Sequence, residues 1–342
     1  MKSTHKNQPS RLADKGLAAL AALLIASSAL ADDVGAGGFA LRNQNPFLQI
    51  FGLPTYQTAD LSMAGKPTWD ISVDLANHAD AGDTDFENFS IDGETYFFTL
   101  SMRRRVTSWL ELGFDLPFLA HRDGFMDNLI EGWHDLLSIS NTKRSGPSNQ
   151  LGYLYQLDGQ DRFRLDSPTS GLGDIQLTAA VPLREGKDGK SRLSIRSSIK
   201  LPTGDSADLL GSGGTDFAAG IYWTRTSALR GHRLELNGFV GGLALGDGEV
   251  LPELQNDFVA FGGAGATWNV WERIDLAAQL YAQRPFFDSG VEELGGSSIQ
   301  LTVGGMYRLR SGPRLRLAIV EDVAANATPD FAVHFSVSLG GG

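Results

Sequence analysis

The sequence predicts an all-β fold, a transmembrane antiparallel β-barrel of about 12 strands, within limits of about 10 to 14. The first observation is a repeated alternation of apolar and polar residues that runs from Trp69 almost to the C-terminus. Leu301 and Val303, for example, alternate with Gln300 and Thr302. A period of two indicates a strand with two different faces. Each segment has about ten residues, the length that a tilted strand needs to cross a bilayer.

The second observation is that the connections between the predicted strands alternate between long and short. The predicted strands are 69–77, 94–105, 109–118, 172–182, 191–201, 215–225, 232–242, 258–269, 272–282, 298–309, 313–322 and 330–339. The long connections are 78–93, 119–171, 202–214, 243–257 and 283–297, and the short ones are 106–108, 183–190, 226–231, 270–271 and 310–312. Outer-membrane barrels combine short periplasmic turns with longer outer loops, whereas a soluble β-sandwich has no reason to sort its loops. The pattern predicts an outer-membrane barrel over 69–342, closed by pairing the first strand with the last.

The third observation is an export signal at the N-terminus. Basic residues precede an apolar run at 16–30, and Ala29-Leu30-Ala31 forms a cleavage site of the A-x-A type before Asp32. The apolar run is too short for a comfortable transmembrane helix. We therefore expect residues 1–31 to be a signal peptide that is removed on export, and we expect the mature chain to reside in the outer membrane.

Composition excludes several classes of site. The chain has no cysteine, which excludes a lipid anchor on cysteine, a disulfide framework and thiolate metal sites. The formal net charge of −11 argues against nucleic acid as a partner. Phosphate-loop, dinucleotide and zinc signatures are also absent from the sequence, so we expect no cofactor.

Two parts of the chain lack the strand pattern. Residues 32–68 contain two prolines, Pro46 and Pro54, which disfavour a long strand, and we expect a short plug or a segment along the barrel mouth. Within the connection 119–171, a strand-like piece at 151–157 predicts a hairpin. The same connection carries apolar residues at helical spacing, which predict a short amphipathic helix over or inside the outer opening. These residues are Phe125, Leu129, Trp133, Leu136 and Leu137.

Aromatic residues on the apolar phase fall at both ends of the predicted strands. Those at the periplasmic ends are Trp69, Trp223, Trp268 and Tyr307, and those at the outer ends are Phe118, Phe217, Phe258 and Phe331. Two aromatic rows around an aliphatic band are typical of the two membrane interfaces. The alternative is the aromatic core of a soluble sandwich.

Charged residues on the polar phase predict the lining of the lumen. The candidates are Arg103, Glu111, Asp115, Arg192, Arg196, Lys200, Arg314 and Arg316. Such charges either pair into a rigid polar core or line a water path that selects solutes by charge. The turn 106–108 predicts that Arg103 faces Glu111 across two strands. The stripe of Arg192, Arg196 and Lys200 has few adjacent carboxylates, Asp174 and Asp216 being the nearest in sequence, and this surplus predicts a weak preference for anions.

Two chemical alternatives are weaker. His334 and Ser336 resemble the His-x-Ser of a lipid A deacylase, but both fall on the inward phase, so we expect no enzymatic activity. A run of carboxylates at a spacing that can bind Ca²⁺ is more simply a solvated acidic loop, and we expect no metal site. The run consists of Asp80, Asp83, Asp85 and Glu87.

Several short motifs resemble a known family. They are Asn43-Gln44-Asn45-Pro46-Phe47, Phe51-Gly52-Leu53-Pro54, Asp92-Gly93-Glu94-Thr95, Glu111-Leu112-Gly113-Phe114-Asp115-Leu116-Pro117 with Gly124 and Trp133-His134, and Glu321-Asp322 with Pro329-Asp330-Phe331. Over most of the mature chain they resemble an uncharacterised family of Gram-negative outer-membrane proteins, domain of unknown function 3187. The resemblance implies a barrel and supplies neither an established substrate nor catalytic residues.

Two further motifs are similar to those of a wider group of transport barrels, including barrels linked to the degradation of aromatic compounds. They are Gly171-Leu172-Gly173-Asp174 and Lys200-Leu201-Pro202-Thr203-Gly204-Asp205. One departure is that many such barrels end on an aromatic residue, whereas Leu339 is followed here by three glycines.

We therefore expect an outer-membrane β-barrel that is a channel or transport protein for small solutes. The alternative is a non-conducting structural or ligand-binding barrel, and an outer-leaflet lipid hydrolase is a third reading. The expected partners are outer-membrane lipid and lipopolysaccharide, the barrel-assembly machinery and small solutes.

Overall fold

The computed structural model describes residues 37–124, 151–324, 327–329 and 331–340. Its strands are β1 (Thr68–Asp83), β2 (Glu87–Arg105), β3 (Glu111–Arg122), β4 (Gly152–Leu157), β5 (Gln160–Leu165), β6 (Thr169–Leu172), β7 (Gln176–Glu185), β8 (Ser191–Lys200), β9 (Asp216–Leu229), β10 (His232–Ala244), β11 (Phe258–Trp271), β12 (Ile274–Gln283), β13 (Ser298–Arg308), β14 (Arg314–Ala324) and β15 (Phe331–Leu339). One short helix, α1, covers Glu292–Gly295. Within these described ranges no helix is long and apolar enough to cross a membrane.

Twelve of the strands form a closed antiparallel barrel, as the sequence predicts. Each strand pairs with its neighbours in chain order, and β1 pairs with β15 from Trp69 opposite Leu339 to Asn77 opposite Phe331. Closure leaves no strand edge in the hydrocarbon, where unpaired backbone groups are costly. The other three strands are additions at one end: β4 and β5 extend the sheet beyond β2, and β6 pairs with the end of β3.

The two faces of each strand follow the sequence alternation. On β13, Thr302 is 3 % exposed and faces inward, whereas Val303 beside it is 44 % exposed and faces outward. Outward aromatic residues also lie at both ends of the barrel, with Phe217 and Phe258 at one end and Trp271 at the other. This arrangement gives an apolar outer surface and a polar interior, which is the pattern of transmembrane barrels.

The prediction of a long loop at 78–93 is wrong. Strands β1 and β2 continue through this stretch, paired from His78 opposite Gly93 to Asp83 opposite Asn88, and only residues 84–86 form the turn. The polar composition suggested a loop because lipid-facing strands need apolar residues. The extension instead pairs with β4, as at Ile91 opposite Tyr153, and therefore does not depend on lipid contact for its stability.

The long connection between β3 and β7 contains the predicted hairpin, formed by β4 and β5. The amphipathic helix predicted at 125–137 lies outside the described residues, as does the predicted signal peptide at 1–31. The predicted strand at 172–182 is divided in the structure between β6 and β7, with 173–175 as the break.

Residues 37–67, here called the N-terminal segment, run inside the barrel. The segment turns at 46–50. The Asn43 side chain accepts a hydrogen bond from the Asn45 amide at 2.8 Å, and the Asn45 side chain accepts one from the Phe47 amide at 3.0 Å. Asparagine side chains stabilise turns in this way, which explains the asparagines that precede Pro46. The two arms are joined where the Tyr56 amide donates to the Leu41 carbonyl at 2.7 Å.

Candidate functional site

The N-terminal segment is bonded to the inner wall along its whole length. Its backbone groups supply most of these bonds, and inward-facing side chains of four barrel strands, β3, β8, β9 and β12, supply their partners. The pairs are Phe39 N with Gln279 Oε1 at 2.9 Å, Gly52 N with Asp216 Oδ2 at 2.8 Å, Ala59 N with Thr224 Oγ1 at 2.9 Å, Pro54 O with the Tyr281 hydroxyl at 2.7 Å, Thr58 O with Arg196 Nε at 2.9 Å, and Ser62 N with Glu111 Oε2. The wall thus provides polar side chains for a segment whose described backbone joins the sheet only through the isolated bridge between Ala64 and Arg105.

Aromatic residues of the N-terminal segment pack inside the barrel at the end that carries the hairpin of β4 and β5. Phe51 stacks on Phe286 with ring centroids 5.0 Å apart and meets Phe287 edge-on at 5.6 Å. Phe47 packs edge-on against Phe89 at 5.4 Å and against Phe163 at 5.3 Å. All but Phe163 are completely buried. This apolar cap joins the turn of the segment to the outer loops and to the hairpin of β4 and β5.

A buried ion cluster holds the same turn from the side. Lys200 is 1 % exposed, and its Nζ lies 2.6 Å from Asp174 Oδ2 and 3.3 Å from Asp216 Oδ2. The same ammonium donates to the Ile50 carbonyl at 3.3 Å, while Asp216 accepts the Gly52 amide. A glycine is required at position 52 because a Cβ there would lie 2.8 Å from the Asp216 Cβ. We call Lys200, Asp174 and Asp216 the latch.

The latch contains residues of the two motifs that resemble those of transport barrels. Asp174 ends the first motif, and its Oδ1 accepts the amides of Thr203 at 2.9 Å and Gly204 at 2.8 Å from the second motif. Lys200 begins the second motif. The motifs therefore fix two outer loops and the tip of the N-terminal segment at one point. Asp174 and Asp216 are the carboxylates nearest to Lys200 in the sequence, and the structure brings all three together.

A cavity of about 300 Å³ lies between the N-terminal segment and the inner faces of β1, β2, β3 and β14. Charged residues of both signs line it, namely Arg42, Arg103, Arg196, Arg308, Arg314, Arg316, Asp60, Asp70, Asp74, Glu111, Asp115 and Asp174. Neutral polar residues complete the lining, among them Gln44, Gln49 and Gln176. Six of the eight lumen residues chosen from sequence therefore line this cavity. Arg192 and Lys200 are not among the described residues that do so.

The predicted contact between Arg103 and Glu111 is wrong. Arg103 lies opposite Gly113, and its Nη2 bonds both carboxylate oxygens of Asp115 at 2.8 Å. The register differs by two residues because the turn spans 106–110, with the amide of Val106 donating to the Leu110 carbonyl at 2.9 Å. Trp109 is 58 % exposed in this turn rather than placed at the start of a strand.

The predicted surplus of positive charge along β8 is also wrong. Arg196 Nη1 lies 3.0 Å from Glu111 Oε1, Lys200 belongs to the latch, and Arg192 pairs with Asp60. Asp60 belongs to the N-terminal segment, 132 residues earlier in the chain, so its approach could not be inferred from neighbouring strands. The anion preference based on this stripe therefore loses its support.

On the opposite wall, Arg316 Nη1 lies 3.0 Å from Asp70 Oδ2 and also donates to the Ser338 hydroxyl. Arg314 is directly opposite Arg308 across β13 and β14. Arg308 Nη2 lies 3.7 Å from Asp275 Oδ2. These charges are thus part of the polar network of the wall.

Within the N-terminal segment, burial lowers the pKa of Arg42, an effect that the carboxylates of Asp115, Asp174 and Asp74 oppose. Its Nη1 donates to the carbonyls of Phe51 and Leu53 at 3.2 and 3.0 Å, so it stabilises the turn from within. Burial disfavours the charged form of Tyr56 as well and therefore raises its pKa, and the Tyr56 hydroxyl is hydrogen-bonded to Asn237.

His334 and Ser336 lie on the inner wall, as their phase predicts. His334 Nδ1 is 2.5 Å from Asp74 Oδ1, and Nε2 is 3.1 Å from Ser336 Oγ, an order of contacts that matches a catalytic triad. The Phe39 ring meets the imidazole at 6.0 Å and covers it. Acyl chains of the outer leaflet lie on the other side of the wall, so the arrangement gives no support to the lipid hydrolase.

The acidic run at 80–87 is not gathered around an ion site. Glu87 accepts hydrogen bonds from the Tyr155 hydroxyl at 2.8 Å and from the Gly290 amide at 2.7 Å. Among the described residues, no group of three or more histidine or carboxylate side chains is placed to hold a metal ion.

Comparison with known proteins agrees with this geometry. Residues 17–340 match the family model described as protein of unknown function (DUF3187). The chain belongs to this family. No functionally curated protein sequence matches this member of the family.

Several solved structures of outer-membrane proteins resemble this chain, and one of them is similar enough to show the same fold. The COG4313 outer membrane channel of Pseudomonas putida F1 has a TM-score of 0.53 at 13 % identity, over 81 % of this chain and 95 % of the other. A Pseudomonas aeruginosa FadL homologue has a TM-score of 0.39 at 11 % identity, over 88 % and 98 %. The Acinetobacter baumannii outer membrane channel DcaP has a TM-score of 0.35 at 10 % identity, over 82 % and 99 %. At these identities the likeness to the first structure shows a shared fold.

Proposed function

We propose that this family member is an outer-membrane channel for small solutes whose lumen is closed by the N-terminal segment. The main support for this proposal is the polar cavity of about 300 Å³. It lies beside the N-terminal segment, which polar contacts and the apolar cap hold in place. A barrel of about twelve strands has an interior between the packed small barrels and the open porins. Removing the segment would clear the space that it occupies between the cavity and the apolar cap.

The closed state depends on non-covalent contacts alone, since the chain has no cysteine. The latch and the cap both act on the turn of the N-terminal segment, so displacement of this one element opens the lumen. Export by a cleaved signal peptide at 1–31 and residence in the outer membrane belong to the same proposal.

Planar-bilayer recording tests the channel directly. The refolded protein is compared with a variant in which residues 37–63 are replaced by a short glycine-serine linker. We expect rare, small conductance steps from the wild type and frequent, larger steps from the variant. Heat-modifiable migration in gels controls for correct folding of both. A folded variant that stays silent would favour the non-conducting structural or ligand-binding barrel.

A further inference from the structure

The charged residues that line the cavity are already engaged. Arg103 bonds Asp115, Arg196 bonds Glu111 and Arg316 bonds Asp70. Arg308 faces Asp275, and Arg314 also has a partner. An additional ion in the cavity would therefore compete with existing ion pairs. The selection of a solute by charge has little support from these contacts.

Three neutral amide side chains of the lining have atoms that lack a hydrogen-bond partner within the described structure. Gln44 and Gln49 are 4 % and 2 % exposed, and neither the Nε2 nor the Oε1 atom of either side chain has a hydrogen-bond partner within the described structure. Gln176, on the facing wall, likewise has an Nε2 without a partner. Buried polar groups are nearly always hydrogen-bonded to protein or to water in folded proteins, and all three of these amides belong to the lining of one cavity.

The chemistry of an amide indicates which kind of solute it can bind. Each amide offers two donors and an acceptor oxygen. A carboxylate can only accept and an ammonium can only donate, so either would satisfy half of the group. A hydroxyl both donates and accepts, and neighbouring hydroxyls on one carbon chain match the spacing of the amide nitrogen and oxygen.

We propose that the cavity binds a neutral polyhydroxylated solute, a sugar or polyol, through Gln44, Gln49 and Gln176. This inference rests on the proposed function, because the proposed channel is the route by which such a solute enters and leaves the cavity. The volume of about 300 Å³ falls at the lower end of known ligand pockets, which suits one small molecule. Gln44 precedes the turn of the N-terminal segment at 46–50 and Gln49 lies within it, so the ligand contacts the closing element itself.

The test measures binding by titration calorimetry of the whole folded protein, in a detergent without a sugar headgroup. The probes are glucose and sorbitol, with gluconate as the anionic and glucosamine as the cationic comparator at pH 6. The variant Gln44→Leu with Gln49→Leu keeps side-chain size and removes the amides. Gln160→Leu, in the exposed hairpin of β4 and β5, is the matched control.

We expect both neutral polyols to bind the wild type about tenfold more tightly than the charged comparators. The double variant should bind them at least about tenfold more weakly, and the control should match the wild type. Equal binding by wild type and double variant, preference for gluconate or glucosamine, or no polyol binding at all would overturn the inference.

Bilayer recordings on the same samples separate this inference from the channel. Conductance without polyol binding would reject the site and leave the channel standing. Polyol binding to a barrel that never conducts would support the site and reject the channel.

Discussion

Lys200 on β8 and Gly52 in the N-terminal segment are held by one carboxylate, since Asp216 lies 3.3 Å from the Lys200 ammonium and accepts the Gly52 amide at 2.8 Å. A wall charge and the tip of the closing segment therefore share a partner. A change in the latch should therefore alter both the free energy of unfolding of the barrel and the strength with which the N-terminal segment is held in the lumen.

Lys200→Met should both destabilise the barrel and open it. The change leaves Asp174 and Asp216 buried without a cation, a loss of about 3–5 kcal/mol for a broken buried pair. We expect a lower urea midpoint and more frequent conductance steps. Lys190→Met, in an exposed turn, is the control and should change neither. An unchanged urea midpoint in a correctly folded Lys200→Met barrel would refute the energetic role of the latch.

Phe51→Ala should weaken the apolar cap. Removal of a fully buried aromatic side chain costs about 3–5 kcal/mol, and here the loss falls on the contact between the N-terminal segment and the outer loops. Limited proteolysis of the folded barrel should then cleave within 37–67 faster than in the wild type. Phe86→Ala, in a turn where the ring is 67 % exposed, should leave the rate unchanged. Equal rates for both variants would contradict the cap.

Val303→Arg should be more damaging than Tyr307→Arg, although both residues face outward on β13. An arginine near the membrane midplane costs about 2–4 kcal/mol, and one near the interface about 0–1 kcal/mol. Urea midpoints in lipid vesicles measure the difference. The reverse order would mean that the membrane is placed wrongly along this strand.

Arg103 should couple energetically to Asp115 and not to Glu111. The Arg103 guanidinium bonds both oxygens of Asp115, while Glu111 bonds Arg196. Double-mutant cycles on urea stability, with glutamine and asparagine as replacements, should give about 1 kcal/mol for the first pair and almost nothing for the second. Coupling confined to Arg103 and Glu111 would favour the register predicted from sequence.

The barrel could be predicted from sequence because every strand repeats one local rule, apolar toward lipid and polar toward the lumen. Thr302 and Val303 obey that rule without reference to any distant residue. The predicted pairing of Arg103 was wrong because it depends on the length of the turn between β2 and β3. Trp109 suits both an exposed turn at the membrane interface and the first position of a strand. Alternation alone does not determine where the turn ends.

Most contacts of the candidate site could not be predicted from the sequence, because the contacting residues are far apart along the chain. Gly52 meets Asp216 across 164 residues, and Asp60 meets Arg192 across 132. No periodicity marks the N-terminal segment, so only its prolines suggested a separate role. Gln44 belongs to one of the family motifs, but the sequence does not show that its amide lacks a partner, because that depends on the residues of the surrounding wall.

A disulfide between the N-terminal segment and the wall should hold the channel closed. The Ala59 amide nitrogen lies 2.9 Å from Thr224 Oγ1, so Ala59→Cys with Thr224→Cys introduces two thiols where the segment contacts the wall. The chain has no other cysteine that could compete. Oxidation should suppress conductance steps, and dithiothreitol should restore them in the same bilayer. Each single-cysteine variant is the control and should not respond to reduction. If the oxidised double variant, with its disulfide confirmed by mass spectrometry, conducts as the reduced form does, then solutes pass without movement of this arm of the segment.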